Sequence, residues 1–124
     1  MTAIYTEHAP RAIGPYSQAI KHGNTVYFAG QIPLDPITMQ IVSDDIVMQT
    51  EQVLRNIQAV AIAAGGGFEH IVKLTIFLTD LNDFALVNEV MARHFQEPYP
   101  ARSTVQVVAL PKKAKIEVEA VMGL

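Results

Sequence analysis

One arginine stands out as a side chain that could bind a charged ligand. Arg102 follows Pro100 and lies at the start of an apolar, β-rich run that continues to Leu110. The proline fixes its own φ angle and biases Tyr99 toward extended backbone, so the chain before the arginine is stiff. A guanidinium is always charged, and its planar fork of donors fits a carboxylate with two hydrogen bonds. Arg102 is therefore a candidate for gripping a small carboxylic acid, and a structural salt bridge is an equally good interpretation of the local sequence.

Two glutamates supply the second group of candidate catalytic side chains. Glu117 and Glu119 share one face of a predicted final strand over residues 115–122. Carboxylates two residues apart on one strand face repel each other unless a cation lies close. We expect Arg102 to provide that cation if the last two strands pair. An arginine, one or two glutamates and tyrosines have no intrinsic redox chemistry, so the set suits hydrolysis or proton transfer on a small carboxylate, or plain binding.

Other common kinds of site are not predicted. The four histidines are dispersed without metal-ligand spacing, no cysteine is present, and no serine lies in a nucleophile motif. The glycines at 65–67 follow a predicted helix, which favours a helix cap over a phosphate-binding loop. Asn88 is predicted on a buried helical stripe, where its amide either satisfies a loop carbonyl, the commoner case, or shapes a pocket. Gly30 ends a strand and allows close approach of a ligand, although a bulge is more common.

The composition restricts the partners of this chain. It has 124 residues, enough for one domain over residues 1–124 with a real core, and only 17% are charged against about 25% in typical domains. Such a shortage of charge suggests that other subunits cover part of the surface. The net charge of -3 argues against nucleic acid or an anionic membrane as the main partner. No signal peptide or spanning segment is recognisable, so we expect a soluble cytoplasmic protein.

The predicted elements that position these residues follow an α+β pattern. A hairpin is predicted over residues 16–20 and 25–29, a strand over 71–79, and two further strands over 103–110 and 115–122. One helix is predicted from a cap at Ser43 or Asp44 to Ala64, and another from a cap within 80–83 to Phe95. Both helices are expected to pack on one face of the sheet. The predicted buried residues are Val53, Ile57, Val60, Ala61 and Ala64, then Val72, Leu74, Ile76 and Leu78, and finally Phe84, Val87, Met91 and Phe95.

Five blocks of sequence, in order along nearly the whole chain, resemble the RidA/YjgF family. They are Ile13-Gly14-Pro15-Tyr16-Ser17-Gln18, Ala29-Gly30-Gln31-Ile32-Pro33, Asp80-Leu81-Asn82-Asp83-Phe84, Pro100-Ala101-Arg102-Ser103 and Lys115-Ile116-Glu117-Val118-Glu119-Ala120. The resemblance implies a chorismate-mutase-like α+β fold with a mixed sheet, a homotrimer, and clefts between neighbouring subunits. It also implies hydrolysis of 2-imino acids, such as 2-iminobutanoate and 2-iminopropanoate, to 2-oxo acids and ammonia, without a cofactor. These imines arise from enamines that pyridoxal-phosphate-dependent dehydratases release.

The resemblance also assigns roles to individual residues. Arg102 would hold the substrate carboxylate, and Glu117 would orient the attacking water and move protons. Tyr16 and Asn88 would line the cleft, and the backbone of Gly30 would approach the ligand.

Two positions depart from common family usage. Ala29 stands where serine is frequent, which removes a hydroxyl that could contact substrate and bears on substrate range. Thr104 stands where cysteine is frequent, and it keeps a backbone carbonyl that could place a water. Because the family also contains members described as ribonucleases, translation inhibitors or chaperones, a non-catalytic trimer that binds a small acid is the alternative function.

Overall fold

The chain forms one six-stranded sheet with two helices on one side, in a computed structural model that describes residues 1–124. In chain order the elements are β1 (Thr2–Ile4), β2 (Ala19–His22), β3 (Thr25–Phe28), α1 (Ile46–Ala63), β4 (Ile71–Leu78), α2 (Phe84–His94), β5 (Ala101–Gln106) and β6 (Ile116–Gly123). Single 3-10 turns precede β4, α2 and β6. The predicted α+β class is confirmed. No helix is long and apolar enough to cross a membrane.

The sheet is mixed, as the family resemblance implied. Its strand order is β1-β2-β3-β6-β4-β5, and every neighbouring pair is antiparallel except β4 and β5, which are parallel. Parallel neighbours need a crossover connection, and α2 provides it between β4 and β5. Strand β6, the last in the chain, pairs with both β3 and β4. The last two strands, β5 and β6, are therefore separated by β4, and the predicted pairing that would place Arg102 beside the two glutamates is wrong.

Local signals set the helix ends, with small differences from the prediction. The carboxylate of Asp45 accepts a hydrogen bond from the backbone N–H of Met48 at 2.9 Å, so the cap of α1 lies at Asp45 rather than at residue 43 or 44. At the other end Gly65 adopts a φ of 95°, and Gly66 donates its N–H to the carbonyl of Ala61. This left-handed turn confirms the glycine run as a helix cap.

The core lies between the helices and one face of the sheet. Alternate residues of β6, from Ile116 to Met122, are at most 3% exposed and face the helices. In β4 a bulge between Ile71 and Lys73 shifts the alternation, so Ile71 is buried and Val72 is 53% exposed, contrary to the prediction. The predicted stripe of α1 is buried as expected. The stripe of α2 is buried from Val87 onward but not at Phe84, which is 39% exposed.

The outer strands differ more from the prediction. Strand β1 was not predicted, and β2 begins at Ala19 rather than Tyr16. Strand β5 spans Ala101–Gln106, so Arg102 lies inside this strand instead of preceding it. Strand β5 lies at one edge of the sheet, and all six of its residues are exposed or half-buried. The polar backbone of that edge and its exposed side chains are therefore free to contact another chain.

Candidate functional site

Arg102 forms one wall of a cleft between α2 and the edge of the sheet. It lies opposite Leu74 of β4, on the face of the sheet that the helices cover. Its Nη1 donates a hydrogen bond to Oδ1 of Asn88 at 2.8 Å, and its guanidinium carbon lies 5.4 Å from the centre of the Phe84 ring. The cleft has a volume of about 350 Å3. Two contacts from one helix thus hold the guanidinium beside a cavity of ligand size.

Asn88 therefore has a different environment from the one predicted. It is exposed, and its amide oxygen accepts from Arg102 rather than satisfying a loop. Phe84 was predicted in the core and instead packs on the guanidinium. Thr104 lies opposite Ile76 two residues along β5, so it shares the face of Arg102 and is half-buried there.

Glu117 lies in a second cleft, on the other face of the sheet. This cleft has a volume of about 230 Å3 and includes Tyr16, Gly30 and Arg11 among its lining residues. Residue 31 bridges to residue 118 through two backbone hydrogen bonds of 2.8 and 3.0 Å, which brings Gly30 against the glutamate. A Cβ atom at position 30 would lie 2.6 Å from Oε2 of Glu117 and 2.9 Å from its Cδ. Glycine is therefore the residue that leaves room for this carboxylate.

The segment that carries Tyr16 is fixed by a buried amide. The Nε2 of Gln18 donates to the carbonyl oxygens of Thr6 and Pro10 at 3.0 and 2.9 Å, and its Oε1 accepts from the N–H of Thr6 at 2.8 Å. These bonds tie the chain before β2 to the sheet. The motif that contains Gln18 was recognised in the sequence, but its positioning role could not be deduced without the fold.

Burial changes the acidity of the catalytic candidate. The pKa of Glu117 is raised above its ordinary value, first because burial disfavours the charged form and second because the Glu119 carboxylate repels it. Glu119 is exposed and lies opposite Thr75. No guanidinium of the same chain lies close enough to form an ion pair with either glutamate. A carboxyl group with a raised pKa is suited to accepting and returning a proton.

The two clefts belong to opposite faces of one sheet. Arg102 lies opposite Leu74 and Glu117 lies opposite Phe77, and these two partners are three residues apart on β4. Because side chains alternate along a strand, an odd separation places them on opposite faces. Within one chain the predicted residues therefore form two groups, Arg102 with Asn88 and Thr104, and Glu117 with Tyr16 and Gly30.

Comparison with known proteins gives the same family throughout the chain. The family model described as Endoribonuclease L-PSP matches residues 6–123. A relative from Capra hircus named 2-iminobutanoate/2-iminopropanoate deaminase is 46% identical over 118 residues, which cover 95% of this chain and 86% of that protein. The crystal structure of RidA from the Antarctic bacterium Psychrobacter sp. PAMC 21119 is 48% identical, covers both chains completely and has a TM-score of 0.97.

A second solved structure was described with a small amino acid. The crystal structure of E. coli TdcF with bound serine is 45% identical, covers 100% of this chain and 99% of that chain, and has a TM-score of 0.95. Sequence motifs, strand order and these likenesses agree, and the chain belongs to the Endoribonuclease L-PSP family, which includes the RidA/YjgF proteins.

Proposed function

We propose that this protein hydrolyses reactive 2-imino acids to 2-oxo acids and ammonia, in clefts where the Arg102 face of one subunit meets the Glu117 face of another. The observation that carries the proposal is the division of the candidate site. Arg102, the candidate carboxylate-binding group, and Glu117, the candidate proton-transfer group, lie on opposite faces of the same sheet. Each face thus holds one half of a site for an imino acid, and a second copy of the chain supplies the other half.

A closed ring of three chains would unite the halves with every site equivalent. A contact between two different faces of identical subunits repeats around a ring when the rotation closes, and a homotrimer is the ring that the family resemblance implies. The exposed edge strand β5, which carries Arg102, and the low charge content both fit a surface that other subunits cover.

In the assembled site, different side chains would bind the substrate and position the attacking water. Arg102 would bind the substrate carboxylate with two charged hydrogen bonds, while Asn88 holds its guanidinium in place. Glu117 of the neighbouring subunit would orient a water molecule against C2 of the imine. Tyr16 and the backbone of Gly30 would line the opposite wall, and the backbone carbonyl of Thr104 would help to place the water. Fixing substrate and water together removes much of the entropic barrier to the reaction.

The hydrolysis needs only proton transfer. Water adds across the C2=N bond to give a carbinolamine, and breakage of the C2–N bond then forms C2=O and releases ammonia, so one water is consumed per imine. Glu117 would take a proton from the water and return one to the leaving nitrogen, a task that suits its raised pKa. The name of the Capra hircus relative and the serine bound to E. coli TdcF support a small amino-acid-like ligand.

Ammonia release from enzymatically generated iminobutanoate, with and without the protein, tests this function. We expect release to be faster with the protein and to return to the background rate with the Arg102→Ala variant. Tight binding of 2-oxobutanoate by calorimetry, combined with no acceleration of ammonia release, would contradict the proposal and would favour a binding protein for small acids. Cleavage of RNA by the purified oligomer that is lost in Arg102→Ala would also contradict it. We do not expect such cleavage, because a chain with a net charge of -3 attracts phosphates poorly.

A further inference from the structure

A methionine in the loop between β3 and α1 adopts a backbone conformation that costs free energy. Met39 has a φ of 59°, in the left-handed region that favours glycine. Two backbone hydrogen bonds hold the turn that contains it. The N–H of Met39 donates to the carbonyl of Asp35 at 2.8 Å, and the N–H of Asp35 donates to the carbonyl of Gln40 at 3.0 Å. Because glycine would adopt this turn without strain, the backbone alone does not explain a methionine here.

The side chain of Met39 is buried outside the main core. Met39 is 7% exposed, whereas Ile37 in the same turn is 88% exposed. Met39 does not belong to the cluster of buried residues between the helices and the sheet. It lines the Glu117 cleft instead, as does Leu34, another buried residue outside that cluster. Burial of this apolar side chain in the cleft therefore offsets the strain of its backbone.

The Glu117 cleft has an exposed opening and a buried side. The exposed residues Arg11 and Tyr16 mark the opening, and Leu34 and Met39 supply apolar side chains to the buried side. Met39 is buried within a single chain, so it closes that side of the cleft whatever covers the opening in an oligomer. Its contribution to the surroundings of Glu117 is thus independent of the contact between subunits.

A second strained turn connects Met39 to the strand that carries Glu117. Lys112 and Lys113 have φ values of 56° and 60°, and two successive non-glycine residues in this region are uncommon. The Nζ of Lys112 donates to the backbone carbonyl of Met39 at 3.3 Å. Pro111, in the same turn, lines the Glu117 cleft, and β6 begins shortly after the turn ends. The hydrogen bond therefore fixes the turn of Met39 against the start of the catalytic strand.

We propose that Met39 is a positioning residue for the proposed deaminase reaction, which keeps bulk water out of the buried side of the Glu117 cleft so that the carboxylate meets only the water that it activates. The inference rests on the proposed function and adds a residue to it. Met39 acts through Glu117 rather than on the substrate. Burial is the first cause of the raised pKa of Glu117, and an apolar side chain that excludes water from the cleft contributes to that burial.

The charges around Glu117 stay constant when one neutral residue replaces another at position 39. The charged and titratable groups near Glu117 are Glu119 on its own strand, Arg11 and Tyr16 at the opening, Lys73 on the same face of β4, Asp35 in the turn of Met39, and Lys112, Lys113 and Lys115 before β6. In the proposed site, Arg102 of another subunit joins them. A change in the titration of Glu117 therefore reports on water access rather than on a new charge.

The test measures the titration of Glu117 directly and through catalysis. The carboxyl signal is followed by NMR in protein with 13C-labelled glutamate, and it is assigned by its absence in Glu117→Gln. The second readout is the pH profile of kcat/KM for iminobutanoate hydrolysis. Met39→Gln keeps the chain length and the backbone strain but brings a polar amide into the cleft, whereas Met39→Leu keeps the site apolar. The matched control is Ile37→Gln, in the same turn but in solvent.

We expect the titration and the acidic limb of kcat/KM to move to lower pH in Met39→Gln, because an amide or admitted water favours the charged carboxylate. Met39→Leu and Ile37→Gln should titrate like the unaltered protein. Met39→Gly should shift both readouts in the same direction as Met39→Gln. Glycine adopts a φ of 59° without strain, so this variant provides the test even if Met39→Gln does not fold.

The possible failures are distinguishable. An unmoved titration in Met39→Gln and Met39→Gly would overturn the role of Met39 and leave the deaminase function standing. Lower activity at every pH with an unmoved titration would also overturn it, because Met39 would then support the fold alone. An equal shift in Ile37→Gln would show that any change in the turn has this effect. Absence of imine hydrolysis by the unaltered protein would overturn the deaminase function, and with it the role of Met39 in that reaction.

Discussion

The two clefts of this molecule are built in opposite ways. Arg102 is exposed, and side chains from α2 hold its guanidinium through one hydrogen bond and one aromatic ring. Glu117 is half-buried, and its carboxylate lies against the backbone of Gly30, where a side chain would leave it no room. The first cleft fixes a permanent charge where a ligand can reach it. The second raises the pKa of the group that, in the proposed reaction, accepts and returns a proton.

This difference predicts that the two halves fail differently when they are altered. Damage to the arginine half should weaken binding of the carboxylate. Damage to the glutamate half should lower the rate of the chemical step while carboxylate binding survives. The following substitutions separate the two halves, in order of decreasing expected effect.

Glu117→Gln should have the largest effect. It keeps the shape and hydrogen-bonding capacity of the side chain but removes its ability to accept a proton. We expect kcat for imine hydrolysis to fall by about 10²–10⁴-fold. Calorimetry should show that a stable 2-oxo acid still binds to the variant. Loss of binding without a fall in kcat would mean that Glu117 holds the ligand rather than moving protons.

Arg102→Lys should fail almost as badly as Arg102→Ala. A lysine keeps the charge but loses the planar fork, and its ammonium cannot reproduce the two-bond clamp. The cost should be on the order of 2–4 kcal/mol, or about two to three decades in kcat/KM. Size-exclusion chromatography with light scattering should show an unchanged oligomer. A lysine variant with a near-normal rate would show that the clamp is not needed.

Gly30→Ala should lower kcat by about 10–100-fold, because the new Cβ atom displaces the Glu117 carboxylate from its position. The matched control is Gly123→Ala at the end of β6, whose Cβ would meet only Val72 at 3.8 Å, an ordinary contact. If displacement of the carboxylate is the cause, adding Gly30→Ala to a Glu117→Asp variant should cost much less, since the shorter side chain leaves room for the methyl group. Full additivity of the two changes would argue for a different role of Gly30.

Glu119→Gln should have the smallest effect and should appear only in the pH profile. In the proposed reaction Glu117 acts as a base when it is deprotonated, so its raised pKa means that activity is lost as the pH falls through that raised value. Glu119 is the second cause of the raised pKa, and removing its charge lowers the pKa of Glu117. The acidic limb of kcat/KM should therefore move to lower pH, with little change in rate above it. A shift to higher pH would contradict the pKa assignment.

The parts of the fold that follow from periodicity could be predicted from the sequence. Apolar stripes at helical spacing and alternation along the strands predicted the helices and the buried face of the sheet. The bulge in β4 could not be predicted, since it shifts the buried set by one residue at Ile71 through backbone pairing alone. The same limit applies to Phe84, whose apolar character gave no sign that it packs on a guanidinium.

The site residues were recognised from family motifs, but their division between two clefts was not predicted from the local sequence. Strand order decided that outcome, because β4 lies between β5 and β6 and so separates Arg102 from the glutamates. Which strands pair cannot be inferred from local sequence patterns when the strands are distant in sequence. The local sequence therefore supported an arginine and two glutamates in one chain's site, whereas the topology divides them between two faces.

Reassembly of two inactive variants tests the central claim that the halves combine between subunits. Arg102→Ala and Glu117→Gln chains are co-expressed with different affinity tags, and mixed oligomers are isolated through both tags. If each site joins Arg102 of one subunit to Glu117 of the next in a closed ring of three, every mixed ring has one intact site in three, so the isolated mixed oligomers should recover about a third of the normal activity. Neither variant alone should show this activity. Mixed oligomers that remain as inactive as the separate variants would contradict a site shared between subunits.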